Sequence, residues 1–414
     1  MSLSCPASSW AYDLAAERDK AMTWVDARRN GTDWVAVNET SSTGYTYDNA
    51  LPIIAYTMAG DSLNAQDILG FLNVHQLGDG SWYDSMNQTN GAGVNTARSS
   101  GNQAWAMYAI CFYADQTGDH TYLPMAERVA TWLIARQDSS DGGITGGLDA
   151  AGAERTWTAT EHNVEGYFAF KLLYHLTGNA SYQNAMNNCK NWLLNVAWNS
   201  AEGRFNRGEG DPLKYLDPNT LGSLFLNDIQ DYAKQDAAIA HIDATYYVMT
   251  TRTNGPVQTF YEGFKEKAVD DAEGAAKHWQ EGTEQVSVTY LRKGRSFDGF
   301  YYITEVIKSD DPAFDIGHPD DDNDGDGGKL YYMTGTVADG LIEKPPAGLW
   351  QIFATNEYLG DRQKIFYPID RGGGGGGPCL PKLTPNDPFG DSPSQRLHLR
   401  LCNDPIDTSF PSKR

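Results

Sequence analysis

The chain has 414 residues, 40% of them hydrophobic, enough for a sizeable core in one large domain or two ordinary ones. A formal net charge of −22 argues against a nucleic-acid partner, because phosphate binding needs clustered Lys and Arg to displace counterions. No apolar run approaches the length of a membrane-spanning helix, so no membrane span is expected.

In chain order, a helical run opens near Ala11 and the apolar "YDNALPIIAYTMA" follows from Tyr47. "AGDSLNAQDILGFLNVHQLGDGSWYDS", from Ala59, reads as a turn, an amphipathic helix and a Gly-containing loop. The apolar "NQAWAMYAICFYADQ" leads into "TGDHTYLPMAERVATWLIARQDSSDGGITGG" from Thr117. In the same way "EHNVEGYFAFKLLYHL" leads into "TGNASYQNAMNNCKNWLLNVAWNSAEGRFNRG" from Thr177. The shared Gly-Asp or Gly-Asn turns begin at Gly60, Gly118 and Gly178, steps of 58 and 60 residues. Such a repeat marks one supersecondary unit, here a helical hairpin.

The two helices of each unit differ. One apolar nearly all round is buried on most sides, whereas an amphipathic one faces water. The apolar helices should form an inner ring, starting near Tyr45, Gly101, Thr158, Leu221, Trp279 and Pro346. The amphipathic ones should form an outer ring, starting near Ala11, Ser62, His120, Ser181, Asp236 and Ser296, with Trp132 and Trp192 turned into the core. With its hairpins and the phrases "YDNAL", "DGSWYD", "TEHNVEGY" and "WQEGTEQ", the chain resembles the six-hairpin, (α/α)6-barrel glycosidase superfamily over roughly residues 10–360. The resemblance implies an all-α toroid of helical hairpins.

Residues 1–370 are assigned to the toroid, including an irregular acidic insertion from Ser309 to Lys329. Within it, "DDDNDGDGG" offers a calcium site at Asp320, Asp322 and Asp324, but the twelfth-position Glu of an EF-hand loop is missing. No other cofactor is expected. Residues 371–414 form a Gly/Pro-rich tail, where six consecutive glycines oppose ordering and Cys379 and Cys402 could pair. Cys111 and Cys189 lie in apolar helical patterns and should be buried and free. No signal peptide is legible in "MSLSCPASSW"; the expected compartment is nonetheless extracellular or periplasmic.

In a double ring, the loops entering the inner helices gather at one end, so polar residues at the helix heads converge on a cleft. Those heads carry Tyr47, Asp48 and Asn49; Asn102, Gln103 and Trp105; Glu161, His162 and Asn163; and Trp279 and Glu281. Asp79, Trp82, Tyr83 and Asp84 lie in the loop before the second inner helix, and Trp157 lies before the third. Aromatic faces stack on sugar rings, while amides and carboxylates bond hydroxyl groups. Against this, Thr160 could simply cap its helix with Glu161 complementing the dipole, and Asp79 could serve its turn. Glu165, one turn below Glu161 on the same face, reads as a buried support.

The expected partner is a carbohydrate and the expected activity glycoside hydrolysis, with Glu161 as acid and Asp48 or Glu281 as base. Tyr47, Asn49, Asp79, Trp82, Tyr83, Asn102, Gln103, Trp105, Trp157, His162, Asn163 and Trp279 would contact the sugar. A lyase or uronate-processing enzyme on the same scaffold would instead use a Tyr or His base with Arg155 or Arg207 holding a carboxylate. A non-catalytic glycan-binding or extracellular structural toroid is the third reading. Serine-hydrolase, zinc-protease and kinase motifs are missing from the sequence.

Overall fold

The computed structural model describes residues 12–369, except 39, 255–256, 269–277, 310–331, 334–344, 361–362 and 368. The calcium candidates Asp320, Asp322 and Asp324, the tail and the Cys379–Cys402 pair lie outside the described residues.

Twelve α-helices are described: α1 (Leu14–Ala27), α2 (Thr46–Ala59), α3 (Ser62–His75), α4 (Ser100–Thr117), α5 (Leu123–Ile134), α6 (Thr160–Thr177), α7 (Ala180–Trp192), α8 (Asp217–Asp228), α9 (Tyr232–Thr245), α10 (Gln280–Arg292), α11 (Ser296–Lys308) and α12 (Pro345–Leu359). The even-numbered helices touch one another in sequence order, and α12 closes the circle against α2. Each odd-numbered helix from α3 to α11 packs outside the inner helix before it, and α1 packs against α12. The all-α (α/α)6 toroid expected from the repeat is the fold.

The repeated glycines have a local cause. Gly60, Gly118 and Gly178 end α2, α4 and α6 with left-handed backbone, φ 75°, 74° and 69°. Without a Cβ, glycine takes that conformation without strain and turns the chain into the outer helix. An Asx side chain then caps several outer helices: Asp13 for α1, Asp61 for α3, Asn179 for α7 and Asp231 for α9.

Inner helices begin differently. Tyr45, Ser99, Ala159, Leu216 and Trp279 precede α2, α4, α6, α8 and α10 without a side-chain cap. Neighbouring carbonyls take some of the free N–H groups: Thr46 donates to Asp84 and Thr160 to Arg207, at 3.0 and 2.9 Å. Thr160 is thus the first helical residue rather than a cap, and its hydroxyl donates to the Asn206 carbonyl at 2.6 Å.

One device recurs inside each of these heads. The Asn49 amide exchanges hydrogen bonds with the Val35 backbone, at 2.7 and 2.9 Å. Gln103 does the same to Trp82 and Asn163 to Ile144, while Asn219 and Thr283 accept from Phe205 and Phe264. Each clip ties an inner helix to the segment leaving an outer one, fully buried, so that the loops are fixed at the same end of the ring.

At the deeper level of the ring, Phe366 packs between Phe168, Tyr108 and Trp105, with ring centroids 4.3, 4.9 and 5.3 Å away. Its backbone N–H donates to the Tyr108 hydroxyl at 2.7 Å and its carbonyl accepts from Arg292 at 3.1 Å. Arg292 also pairs with the buried Glu357 at 2.7 Å, so the segment after α12 is locked into the core. The expected helical ring therefore gains a floor contributed from beyond its last helix.

Trp132 and Trp192 are buried as expected, and Cys111 and Cys189 are buried and free. The fourth hairpin starts earlier than the sequence suggested: α8 begins at Asp217 and α9 at Tyr232, four residues before Leu221 and Asp236. Pro218 occupies the first turn of α8, where its fixed φ and missing N–H suit a helix start. An antiparallel pair, Tyr247–Asn254 with Val257–Phe264, was not expected. Its β-branched and aromatic residues around Asn254-Gly255 carry a hairpin signal that the helical repeat obscured.

Candidate active site

Two pairs of first-turn carboxyls gather at the mouth of the inner ring. One comes from the heads of α2 and α10, the other from those of the adjacent helices α6 and α8; α2 and α8 stand opposite in the six-membered ring.

In the first pair, Asp48 is a buried first-turn residue of α2, not its cap, and Glu281 is buried in the first turn of α10. The Tyr47 hydroxyl donates to Glu281 Oε1 at 2.7 Å and accepts from Trp350 Nε1 at 2.9 Å. Burial pushes Glu281 up to about 8; the Tyr47 bond opposes this, and the charges of Asp48, Asp217 and Glu266 add to it.

In the second pair, Glu161 and Asp217 are partly exposed to the cleft. Burial raises Glu161 to about 7, helped by Glu165 and Asp211 and opposed by Arg207. Asp217 is raised well above its usual range by burial and then by the charges of Glu161 and Glu266, again against Arg207. Arg207 itself stands 3.6 Å from Asp211 and 4.7 Å from the Tyr215 ring.

Glu165 lies beneath both pairs, 6% exposed, with the Trp105 indole donating to it and burial raising it to about 8. Its Oε2 and Glu161 Oε2 have no hydrogen-bond partner among the described residues. Both Glu165 and His162 lean on Gly101, where a Cβ would come 2.8 Å from Glu165 Oε2 and 2.5 Å from His162 Cδ2. Burial, with the charge of Arg155, lowers His162 to about 4, so its imidazole is neutral at pH 7. Trp157, on the strand Glu154–Thr158, is 50% exposed and packs over Gly146, its ring 5.5 Å from that of His162. An exposed indole beside buried acids is a ready stacking surface.

The structure thus brings together Glu161, Asp48, Glu281, Tyr47, Trp105, Trp157 and His162. Other expected sugar contacts have different work. Asn49, Gln103 and Asn163 are the buried clips described above, with no polar group left for a ligand to reach. Trp82 is fully buried and its indole donates to the Leu72 carbonyl. Trp279 is buried in a cluster with Leu216, Phe264 and Tyr290 and packs over Gly282. Asp79 serves its turn, accepting from Ser81 and pairing with Arg98 at 2.6 Å. Asn102 donates to Asp84, which also accepts from the Ser99 N–H and hydroxyl. Tyr83 packs against Gly93. For Asn49, Gln103, Asn163, Trp82 and Trp279 the residue type suits a cleft equally well, and burial separates the two roles; Asp79, Tyr83 and Asn102 keep some exposure beside their protein partners.

Asp217 was missed because α8 was expected to start four residues later, which left this acid in a turn. The dipeptide Asp217-Pro218 was the available signal. Trp350 and Phe366 carried none, since their places depend on ring closure. Among the described residues, no three His, Cys, Asp or Glu side chains are grouped as metal ligands, and no helix is long and apolar enough to cross a membrane.

Solved structures resemble this fold across most of their length. A wild-type glycosidase superposes with a TM-score of 0.60 at 12% identity, covering 84% of this chain and 98% of its own. A sugar epimerase from a ruminal bacterium gives 0.62 at 14% identity, covering 84% and 99%. The cellobiose 2-epimerase of Bacillus thermoamylovorans gives 0.62 at 10% identity with the same coverage. No family model and no curated protein matches the chain. The fold is therefore shared with these glycosidase and sugar-epimerase structures.

Proposed function

We propose that this protein is a glycoside hydrolase acting on an oligo- or polysaccharide. The observation that carries the reading is the gathering of two carboxyl couples at the mouth of the ring with an exposed indole at its rim. Glycoside hydrolysis needs one protonated carboxyl for the leaving oxygen and one carboxylate for water or the anomeric carbon. The α6/α8 couple supplies the proton, as expected for Glu161, and Asp48 supplies the base. Of the α2/α10 couple, the Tyr47 hydroxyl holds Glu281, which leaves Asp48 to act on the water. The separation of the two carboxyls decides the stereochemistry: about 5 Å suits retention and about 6.5–9.5 Å inversion. Trp157 offers the stacking face for the bound sugar.

Screening a glycan panel for new reducing ends tests the reading. Turnover that falls at least about a hundredfold in Asp48→Asn is expected. A panel that yields no reducing ends overturns it.

Arg155 beside the neutral His162 favours one second reading, a uronate-processing lyase with His162 as base. An unsaturated product absorbing in the ultraviolet would select it over hydrolysis.

A further inference from the structure

We propose that a second sugar pocket adjoins Trp157 at the rim of the mouth and takes a neutral unit farther along the same glycan chain. The inference rests on the hydrolase reading above and narrows its substrate to a chain of several units. The pocket is a cavity of about 200 Å³ between the end of α5 and the antiparallel strands Thr145–Leu148 and Glu154–Thr158. Arg136, Asp138, Thr145, Glu154, Arg155 and Thr156 are among its walls. It is smaller than the roughly 300–1,000 Å³ of a complete small-molecule site. That suits one unit of a longer ligand rather than a whole substrate.

Trp157 joins this pocket to the mouth. Its half-exposed ring stands 5.5 Å from that of His162. The indole also covers Gly146, which directly follows the wall residue Thr145; a Cβ there would come 2.6 Å from the ring. Thr156 directly precedes Trp157, with Arg155 and Glu154 before it on the same strand, at about 3.3 Å per residue. A glycan stacked on the indole therefore has its next units within reach of the pocket.

The walls suit hydroxyl groups. A hydroxyl both donates and accepts, so its site needs both kinds of partner side by side. The Arg136 side chain is 10% exposed, lies 3.5 Å over the Trp132 ring and pairs with Glu154 at 3.0 Å. Its Nε is buried with no hydrogen-bond partner among the described residues. Glu154 is more than half exposed, which leaves it lone pairs for a ligand. Arg155 donates to the Ser99 hydroxyl at 3.1 Å and pairs with no acid among the described residues, so further donors stay free. Charge then sets the class of ligand. Arg136 and Arg155 are matched by Glu154 and Asp138, and a pocket so balanced favours a neutral sugar over a uronate.

The test is affinity against chain length. Neutral oligosaccharides, from disaccharide to octasaccharide, are titrated by calorimetry into the Asp48→Asn protein, which keeps the chains intact. Kd should fall as the chain grows to reach the pocket and then level off. Thr156→Trp fills the pocket from an exposed strand position where Trp is well accommodated. It should weaken the longest chains about tenfold and leave the disaccharide unchanged. With Asp48 intact, the same substitution should raise KM on long chains and keep kcat. Affinity independent of chain length would overturn the pocket, as would equal weakening of short and long chains in Thr156→Trp. Tighter binding of a matching uronate-bearing chain would overturn its assignment to a neutral unit. Length-dependent binding without new reducing ends in the wild type is a different failure, that of the hydrolase reading, and leaves the pocket standing. No binding of any chain overturns both.

Discussion

The outer and inner helices are built from similar lengths of chain, yet four of the six outer N-termini, all but those of α5 and α11, are treated differently from the inner ones. Outer helices α1, α3, α7 and α9 begin at an Asx residue whose side chain satisfies the first N–H groups. Inner helices α2, α4, α6, α8 and α10 begin without such a cap and carry Asp48, Glu161, Asp217 or Glu281 within the first turn of four of them. A capping side chain folds back on its own backbone and is spent there. By closing inner helix starts with carbonyls and buried clips, the chain leaves first-turn carboxyls facing the cleft. An acid at a helix N-terminus is ordinarily stabilised as an anion. Here burial and neighbouring acids win, so several keep their protons toward neutrality.

The contrast predicts that inner-head substitutions damage function while outer-head ones damage only stability. Among inner-head substitutions that leave every carboxyl in place, the largest effect is expected at Tyr47, whose hydroxyl holds Glu281. Tyr47→Phe should reduce kcat about tenfold to a hundredfold with an unchanged circular-dichroism spectrum, read as initial rates on a responsive glycan. A fall in thermal stability that accounts for the lost rate would mean Tyr47 is structural instead.

The clips sit between the two classes. Asn163→Ala leaves the Ile144 N–H and carbonyl without the amide in a fully buried place, and should cost about 2–4 kcal/mol in urea unfolding. If the loss is within the error of the midpoint, the clip does not fix the loop. Gly101→Ala crowds Glu165 and His162 and should cost about 1–3 kcal/mol by the same measurement.

Glu165 sharpens the comparison through pH. Its folded pKa, about 8, lies above the usual carboxylate value, so its contribution to stability is complete below the unfolded pKa and is lost as pH rises toward and through 8. Glu165→Gln should therefore flatten the decline in melting temperature between pH 5 and 9. A decline as steep as that of the wild type would show that Glu165 is ionised in the folded protein.

Smallest of all should be Asp61→Ala on the outer ring, which removes the cap of α3. About 1 kcal/mol of stability should be lost with turnover unchanged. A change in kcat would break the division between the two kinds of helix start.

By itself the sequence determined the repeat, the two rings and their order. Glycine C-caps and apolar periodicity act within a few residues, so their signal survives without tertiary context. It also placed Glu161, Asp48 and Glu281 at helix heads, because ring order puts such heads at one end. Only the tertiary structure separated Asn49, Gln103 and Asn163, which are spent on buried backbone, from His162 beside them, which lines the cleft. An amide at a helix head reads the same whether it bonds a sugar or a main chain, and burial is set by chain segments far away in sequence. The same holds for the floor: nothing local tells Phe366 to enter the ring, since the cavity it fills exists only after α4, α6, α10 and α12 have closed around it. Asp217 lies between these cases. Its helix start was written in Asp217-Pro218, but the acids Glu161 and Glu266, whose charges raise it, come to its side only on folding.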